Sequence, residues 1–331
     1  LRGRGRIVVV DTLARSEIRA VARRSGAAYV TDSRAAASPG LAVHAHARSD
    51  LYLWLEAGQV PMPDLLVELA PRFDGESLAV CQSAVGLLNA DSLVHLRGGR
   101  DEEALLRNVI GPGLDRRGTA PWFGPASLIR RSAVDAAGGF SPDDPAAVER
   151  LLVNMHCRGW ASAFDAQKLV RATAPDTLDH YLAVRRQRGI AALRVFRTPE
   201  SPVTVRGLSP SQRLMHMTMG LGYGRGVRQL LVLAVLCATL VAGHLPFDAE
   251  MGTMLTFWLG TSILSVAAHR ALGRGSMAVG DWLRHGWRTA AADLSALWAV
   301  LADNEREHLV GEREKRRGFR ALGRLRLLTI S

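Results

Sequence analysis

The segment that most constrains this chain is 49–73, SDLYLWLEAGQVPMPDLLVELAPRF. Its apolar run Leu51–Leu55 is short and is followed by Gly58 and Pro61, which predicts a buried strand rather than a helix. The strand ends on Glu56-Ala57-Gly58 and turns through Val60-Pro61 into a helix starting near Pro63. In open α/β sheets ligands bind beyond the carboxyl ends of strands, so Glu56 stands where chemistry is expected.

A second anchor lies upstream. Arg6–Asp11 is a β-branched strand ending in an acid, Ala14–Arg24 is helical and Ala27–Val30 is a second strand. This spacing predicts a parallel pair with a right-handed crossover. Asp11 has two readings, a ligand-facing acid or a cap for the helix that follows. Residues Asp32–Ala47 read as an Ala/Ser/Pro loop without lysine. His44 and His46 alternate within it, and with no third ligand in view they read as structural or solvent-facing. Glu76–Gln82 is a further strand and Asp101–Val109 a charged helix.

The bulk composition excludes several classes. At 331 residues and mean hydropathy +0.05 the chain has room for one large domain and an appendage, and any membrane part must be local. Net charge is +11, and of 42 basic residues only Lys168 and Lys315 are lysine. No helix-turn-helix, zinc-finger spacing or aromatic RNA-binding motif accompanies that charge, so no nucleic-acid partner is expected. A basic face beside a lipid bilayer accounts for it better. Cys81, Cys157 and Cys237 are few and far apart, which points to a reduced compartment without a disulfide framework. The opening LRGRGRIVVVD is already at the edge of a strand and reads as if an earlier part were missing.

In order and spacing the chain resembles the family-2 glycosyltransferases, in particular the cellulose-synthase-like branch. The family strand "hhhLDADhhP" corresponds to LYLWLEAGQVP, with Glu56 at the first acid and Gly58 at the second. Asp11 matches the first acid of the family's "DDG", with Thr12 and Leu13 in the other two places. Trp122-Phe123-Gly124-Pro125 followed by Arg130-Arg131 and Gly138-Gly139-Phe140 matches the acceptor-binding end of the family sheet, with the hydroxyl position taken by proline. Arg158-Gly159-Trp160 matches "hxxRGW". Counting back ten residues from Arg158, the family's catalytic aspartate falls on Val148, which cannot take a proton. A shifted register leaves Glu149 or Asp144 as the fallback base. The Gln-x-x-Arg-Trp motif falls within Tyr181–Phe196 in either of two registers, and neither supplies the tryptophan. One puts Arg185 and Arg186 at the Arg-Trp. The same basic helix also suits a bed of anionic headgroups.

From Gly207 the texture changes. Leu230–Leu245 and Met251–Ala268 are apolar and lie near the lower length limit for crossing ~30 Å of hydrocarbon. Arg225, Arg228, Arg270 and Arg274 flank them while the loop His244–Glu250 carries acids, which predicts cytoplasmic outer flanks. Two buried core helices are the alternative. Gly280–Ala302, with Trp282, Trp287 and Trp298, reads as an interfacial helix.

The expected fold is therefore α/β, a GT-A-like, mostly parallel sheet with flanking helices over 1–200, followed by interfacial and transmembrane helices over 201–302 and a charged cytoplasmic tail over 303–331. The resemblance implies a multi-pass protein of the bacterial inner membrane with its N-terminal domain in the cytoplasm. Two function classes follow. One is a pseudo-glycosyltransferase that acts as a binding or scaffold subunit beside other polysaccharide-synthase subunits. The other is an active enzyme extending a polysaccharide from a UDP-sugar. In the active case Asp11, Glu56, Arg185 and Arg186 would hold the nucleotide sugar, Trp122, Phe123 and Gly124 the acceptor, and Glu56 would bind Mg2+ or Mn2+. One glutamate is a poor site for a hard cation.

Overall fold

The computed structural model describes residues 5–89, 95–96, 100–101, 106–242 and 289–302, with isolated positions between 252 and 267. The chain opens with β1 (Val8–Asp11), α1 (Ser16–Arg24) and β2 (Ala28–Thr31). The two strands pair in parallel, with Val8 opposite Ala28 and Asp11 opposite Thr31, so both reach their carboxyl ends at one level. Glu17 in the first turn of α1 and Arg23 and Arg24 in the last complement the helix dipole.

The segment expected as a loop is ordered as a turn at Ser33–Ala36 and a helix, α2 (Pro39–His46). Proline at the first helical position starts a helix instead of breaking one, because its missing N–H has no partner there in any case. Gly40 lets α2 close on the core, since an added Cβ would lie 2.5 Å from a ring carbon of Phe140.

The main sheet has five strands: β3 (Leu51–Trp54), β8 (Ser127–Arg130), β5 (Leu78–Leu87), β9 (Ala161–Ala172) and β4 (Val60–Pro61), in that spatial order. The expectation of a mostly parallel sheet is corrected here. β3, β5 and β9 share one direction, but only β5 and β9 pair in parallel; β8 is antiparallel to both β3 and β5, and β4 is antiparallel to β9. Ile129 of β8 faces one core cluster, with Tyr52, Trp54, Trp122, Phe140 and Met155. Leu128 faces the other, with Leu65, Leu69, Cys81 and Val170. A strand buried on both faces is apolar throughout, so its composition does not record its direction. Truncating Ile129, which is fully buried, to alanine would cost about 2–5 kcal/mol.

A short hairpin, β6 (His95–Leu96) with β7 (Arg100–Asp101), precedes the stretch where a charged helix was expected and meets it only at Asp101. Residues 102–105 lie outside the described residues, and one wide turn at Leu106–Ile110 leads into α4 (Gly111–Asp115). Short α3 (Leu65–Leu69) follows β4. Beyond β8 come α5 (Arg131–Ala136), α6 (Ala147–Cys157), α7 (Leu178–Arg194), α8 (Pro210–Leu221) and α9 (Arg225–Ala242). The arginine pair that begins α5 is structural. Arg130 donates to the carbonyls of Phe73, Gly75 and Leu78, and Arg131 to those of His44 and Ala47 at the end of α2.

α8 begins with a reciprocal cap in which the Ser209 hydroxyl accepts from Gln212 N–H and the Gln212 amide oxygen accepts from Ser209 N–H. α9 covers the first apolar run as far as Ala242, while 243–250 and much of the second run lie outside the described residues. Among the described residues no helix is long and apolar enough to cross a membrane. Residues 289–302 form a helix packed on α7, where Gly189 and Ala296 let the two backbones approach. Its Trp298 is exposed, whereas Thr289, Asp293 and Ala296 are buried.

Candidate functional site

The carboxyl end of β1 is where an α/β pair offers its ligand site, and Asp11 is there, 2% exposed. Its carboxylate accepts five hydrogen bonds. Leu13 N–H (3.3 Å) and the Arg15 Nε (3.2 Å) and Nη2 (2.8 Å) reach Oδ1, while Arg15 N–H (2.8 Å) and the Tyr29 hydroxyl (2.7 Å) reach Oδ2. The Arg15 guanidinium, with the Tyr29 hydroxyl behind it, holds this carboxyl well below the usual carboxylate range. Two carboxylate oxygens offer about four lone-pair directions, so five donors leave none for a ligand. Asp11 accepts from the N–H groups of Leu13 and Arg15 in the turn before α1, while the helix cap position belongs to Arg15, which makes no side-chain cap bond. The turn contains Ala14 at φ 54°, a strained conformation that the five bonds hold in place.

The neighbouring strand ends the same way. Asp32, buried just past β2, accepts from Arg34 at 3.0 and 2.7 Å and lies 3.1 Å from His46 Nε2. His44 is buried between the Tyr52 hydroxyl (3.1 Å) and Asp135 (2.9 Å). Both histidines are on a helix, not a strand, and both are structural.

Glu56 lies beyond β3 in a turn closed by Gln59 N–H on the Glu56 carbonyl at 3.0 Å. Gly58 occupies the third turn position at φ +92°, which glycine adopts without strain. The chain has left the strand here, so period-two alternation does not align residues 56 and 58. Glu56 is exposed, and its backbone N–H is bound to the Gln59 side chain at 3.0 Å. Among the described residues no three His, Cys, Asp or Glu side chains gather as a metal site. Glu56 by itself does not fit a hard divalent cation.

The segment expected at the acceptor end is rigid. Trp122 is buried and donates Nε1–H to the Gly124 carbonyl and the Ser127 hydroxyl, both at 3.0 Å. Its ring meets Trp54 and Phe140 at 6.3 and 5.9 Å between centroids. Phe123 is half exposed. Gln82, a polar residue within the apolar strand β5, fixes the loop. Its amide donates to the carbonyls of Pro125 and Ala126 and its oxygen accepts Phe123 N–H. The polar pair Gln82-Ser83 within the apolar run LAVCQSAV was the available signal for this residue. A Cβ on Gly124, which has φ +90°, would lie 3.2 Å from Trp54 and 3.6 Å from Val148. The loop, the end of β3 and the expected base position are thus neighbours, and an apolar side chain fills the last of these.

The two fallback acids differ. Asp144 is spent on Arg150 at 2.7 Å and on the entry of α6 through Ala146 N–H at 2.9 Å; Arg150 also holds Glu200 at 2.9 Å. Glu149, in the first turn of α6, has no side-chain partner among the described residues. Removal from water, with the charge of Asp144 nearby, pushes its carboxyl up to about 7. Arg185 is engaged by the chain itself. Its Nε donates to Asp293 at 2.8 Å, and its guanidinium lies 5.4 Å from the centroid of the Tyr223 ring. Arg186 is exposed.

No protein-family profile matches the chain. It is 23% identical over 305 residues to the cellulose synthase catalytic subunit [UDP-forming] of Komagataeibacter sucrofermentans, covering 89% of this chain and 39% of that protein. It is 22% identical over 303 residues to cellulose synthase 1 of Komagataeibacter xylinus, covering 89% of this chain and 19% of that protein. The chain thus spans less than half the length of these relatives. Its fold is similar to that of a mannosyltransferase from Pyrobaculum calidifontis solved with GDP-Man and Mn2+, with TM-score 0.60 at 14% identity over 90% of this chain and 78% of that one. Sequence relatives and architecture agree: the chain is similar in sequence to bacterial cellulose synthase catalytic subunits and in fold to a glycosyltransferase.

Proposed function

We propose that this chain is a glycosyltransferase-derived binding or scaffold subunit of polysaccharide synthesis at the bacterial inner membrane, with lost or strongly reduced transfer. The carrying observation is the end of β1, where Asp11 accepts five internal hydrogen bonds and has no lone pair left for a nucleotide. Arg185, expected to steady the diphosphate, is likewise paired with Asp293, and Val148 fills the base position. We place the glycosyltransferase-like domain over 1–200, on the cytoplasmic side, and the membrane-associated helices over 201–302. The exposed Leu231, Leu240 and Val241 of α9 support contact with lipid. The test is transfer of labelled sugar from UDP-sugar donors by the membrane-extracted protein. This reading expects none above a boiled control.

One observation favours the second reading, an active enzyme. A general base works best with a pKa near the working pH, and the Glu149 carboxyl, at about 7, is so placed one residue from Val148. Transfer that is present in the wild type and lost in Glu149→Gln would establish it. In that case Glu149 would take the acceptor hydroxyl proton, and Trp122–Gly124 would shape the floor beneath the sugar.

A further inference from the structure

We propose that His156 and His216 form a proton-sensitive latch that fastens α8 to α6. His156 Nδ1 lies 3.0 Å from His216 Nε2, and the rings meet edge to face at 5.1 Å. Both are buried, at 1% and 7% exposure. The network assigns the protons. The Ser162 hydroxyl donates to the Ala120 carbonyl at 2.6 Å, so its oxygen accepts Nε2–H of His156 at 2.9 Å. His156 Nδ1 is then bare and accepts from Nε2–H of His216. The latch is therefore a chain of two neutral imidazoles running from β9 through α6 to α8.

A proton taken up by this pair has no compensating charge. His44 and His46 each face a carboxylate, Asp135 and Asp32. Neither ring of the latch makes a bond to an acid among the described residues. From α6 the nearby titratable groups are the Cys157 thiol and Arg158, and from α8 Arg213; β9 presents Ser162, and the segment before β8 the Ala120 carbonyl. The ionised neighbours are cationic. One proton leaves a buried, unpaired charge, and a second sets two N–H groups against each other. Burial accordingly holds the rings at about 3 and about 4. An unfolded histidine titrates near 6.5, so the latch contributes fully above that pH. Its contribution falls as pH drops from about 6.5 towards 4, because the released rings bind protons that the latched rings refuse.

α8 leads directly into the exposed apolar face of α9, so acid would loosen the attachment of that helix. Other contacts of α8, Met215 in the core, Gly220 against Phe196 and the Arg213 guanidinium on the carbonyls of Pro202, Val203 and Val205, do not titrate in this range. The experiment is hydrogen exchange of α8 amides in the full chain at pH 7.5 and 5.5, corrected for intrinsic exchange rates. Wild type should lose protection of α8 relative to α1, by up to about tenfold per pH unit for each proton taken up. The double variant His156→Gln/His216→Gln should show no such pH response. An equal response in both proteins, or α8 protection in the wild type unchanged at pH 5.5, overturns the proposal. If the double variant does not fold, the imidazole Cε1 resonances of the wild type decide. Two rings must stay neutral for as long as α8 remains protected, and titration of either near 6.5 with α8 still protected overturns the latch.

Discussion

Asp11 and Glu149 are carboxyl groups at the two ends of the expected site, and their surroundings drive them in opposite directions. Asp11 receives five donors and is held ionised; Glu149 receives no side-chain donor among the described residues and is pushed up to about 7. The difference shows how the surroundings of a carboxyl group set its chemistry within one fold. At the end of β1 the acid is kept, but Arg15 and Tyr29 turn it into a structural joint. At the start of α6 the position expected for a base holds Val148, and Glu149 beside it has no side-chain partner among the described residues. The rings of Trp54, Trp122 and Phe140 are buried together in the core, with Val148 packed against them.

The largest effect expected from this contrast belongs to Asp11→Asn. It removes the acceptors for the guanidinium and forces an N–H2 against existing donors, so it should lower the melting temperature more than any other single substitution at the site. The sign of its pH dependence is fixed. A carboxyl whose folded pKa is depressed contributes above its unfolded value, near 3.9, and that contribution is lost as pH falls through the folded value. The gap between wild type and Asp11→Asn in melting scans should therefore be widest near neutrality and narrow below about pH 4. Glu149→Gln should do the reverse. Its folded value is raised, so ionisation costs stability as pH rises from about 4.5 to 7. At pH 8 the glutamine variant should be more stable by roughly 1–2 kcal/mol, after allowance for the water that reaches a half-buried side chain, with the difference vanishing at pH 4.5. Denaturant melts at the two pH values check this.

The turn after β3 separates ancestry from present function. Gly58→Asp meets nothing within 4 Å but must adopt φ +92°, so it should cost about 1 kcal/mol. Because residues 56 and 58 share a turn and not a strand face, Mn2+ should recover none of that loss in thermal melts. Recovery would show that Glu56 still marks a metal position. Smallest of all, Glu56→Gln should stay within about 0.5 kcal/mol of wild type, as expected of an exposed side chain.

Much of this frame was legible in the residues. The β-branched run before Asp11, the Gly58 turn and the 130–140 segment carry their own geometry. Strand direction in the main sheet was not legible, because β8 packs Leu128 and Ile129 on opposite faces and would look the same reversed. β9 escaped notice because Asp165, Gln167 and Lys168 interrupt its apolar pattern where the strand emerges to solvent. α2 was hidden by Ser38-Pro39-Gly40, which reads as a loop until proline is recognised as a helix start. At the site, the acids could be found by type and position but their donors could not. Arg15 was visible in principle, at the i+4 spacing from Asp11, whereas Tyr29 arrives only through the parallel pairing of β1 with β2.

The most direct test of the central claim, that the nucleotide end is closed by the chain's own side chains, is calorimetric titration of the wild-type protein with UDP in the presence of Mn2+. The account predicts a Kd weaker than ~1 mM, about 4 kcal/mol of binding free energy, and no difference between Mn2+ and chelator. Micromolar, metal-dependent binding would contradict it, because a ligand held that tightly needs acceptors that Asp11 no longer has free.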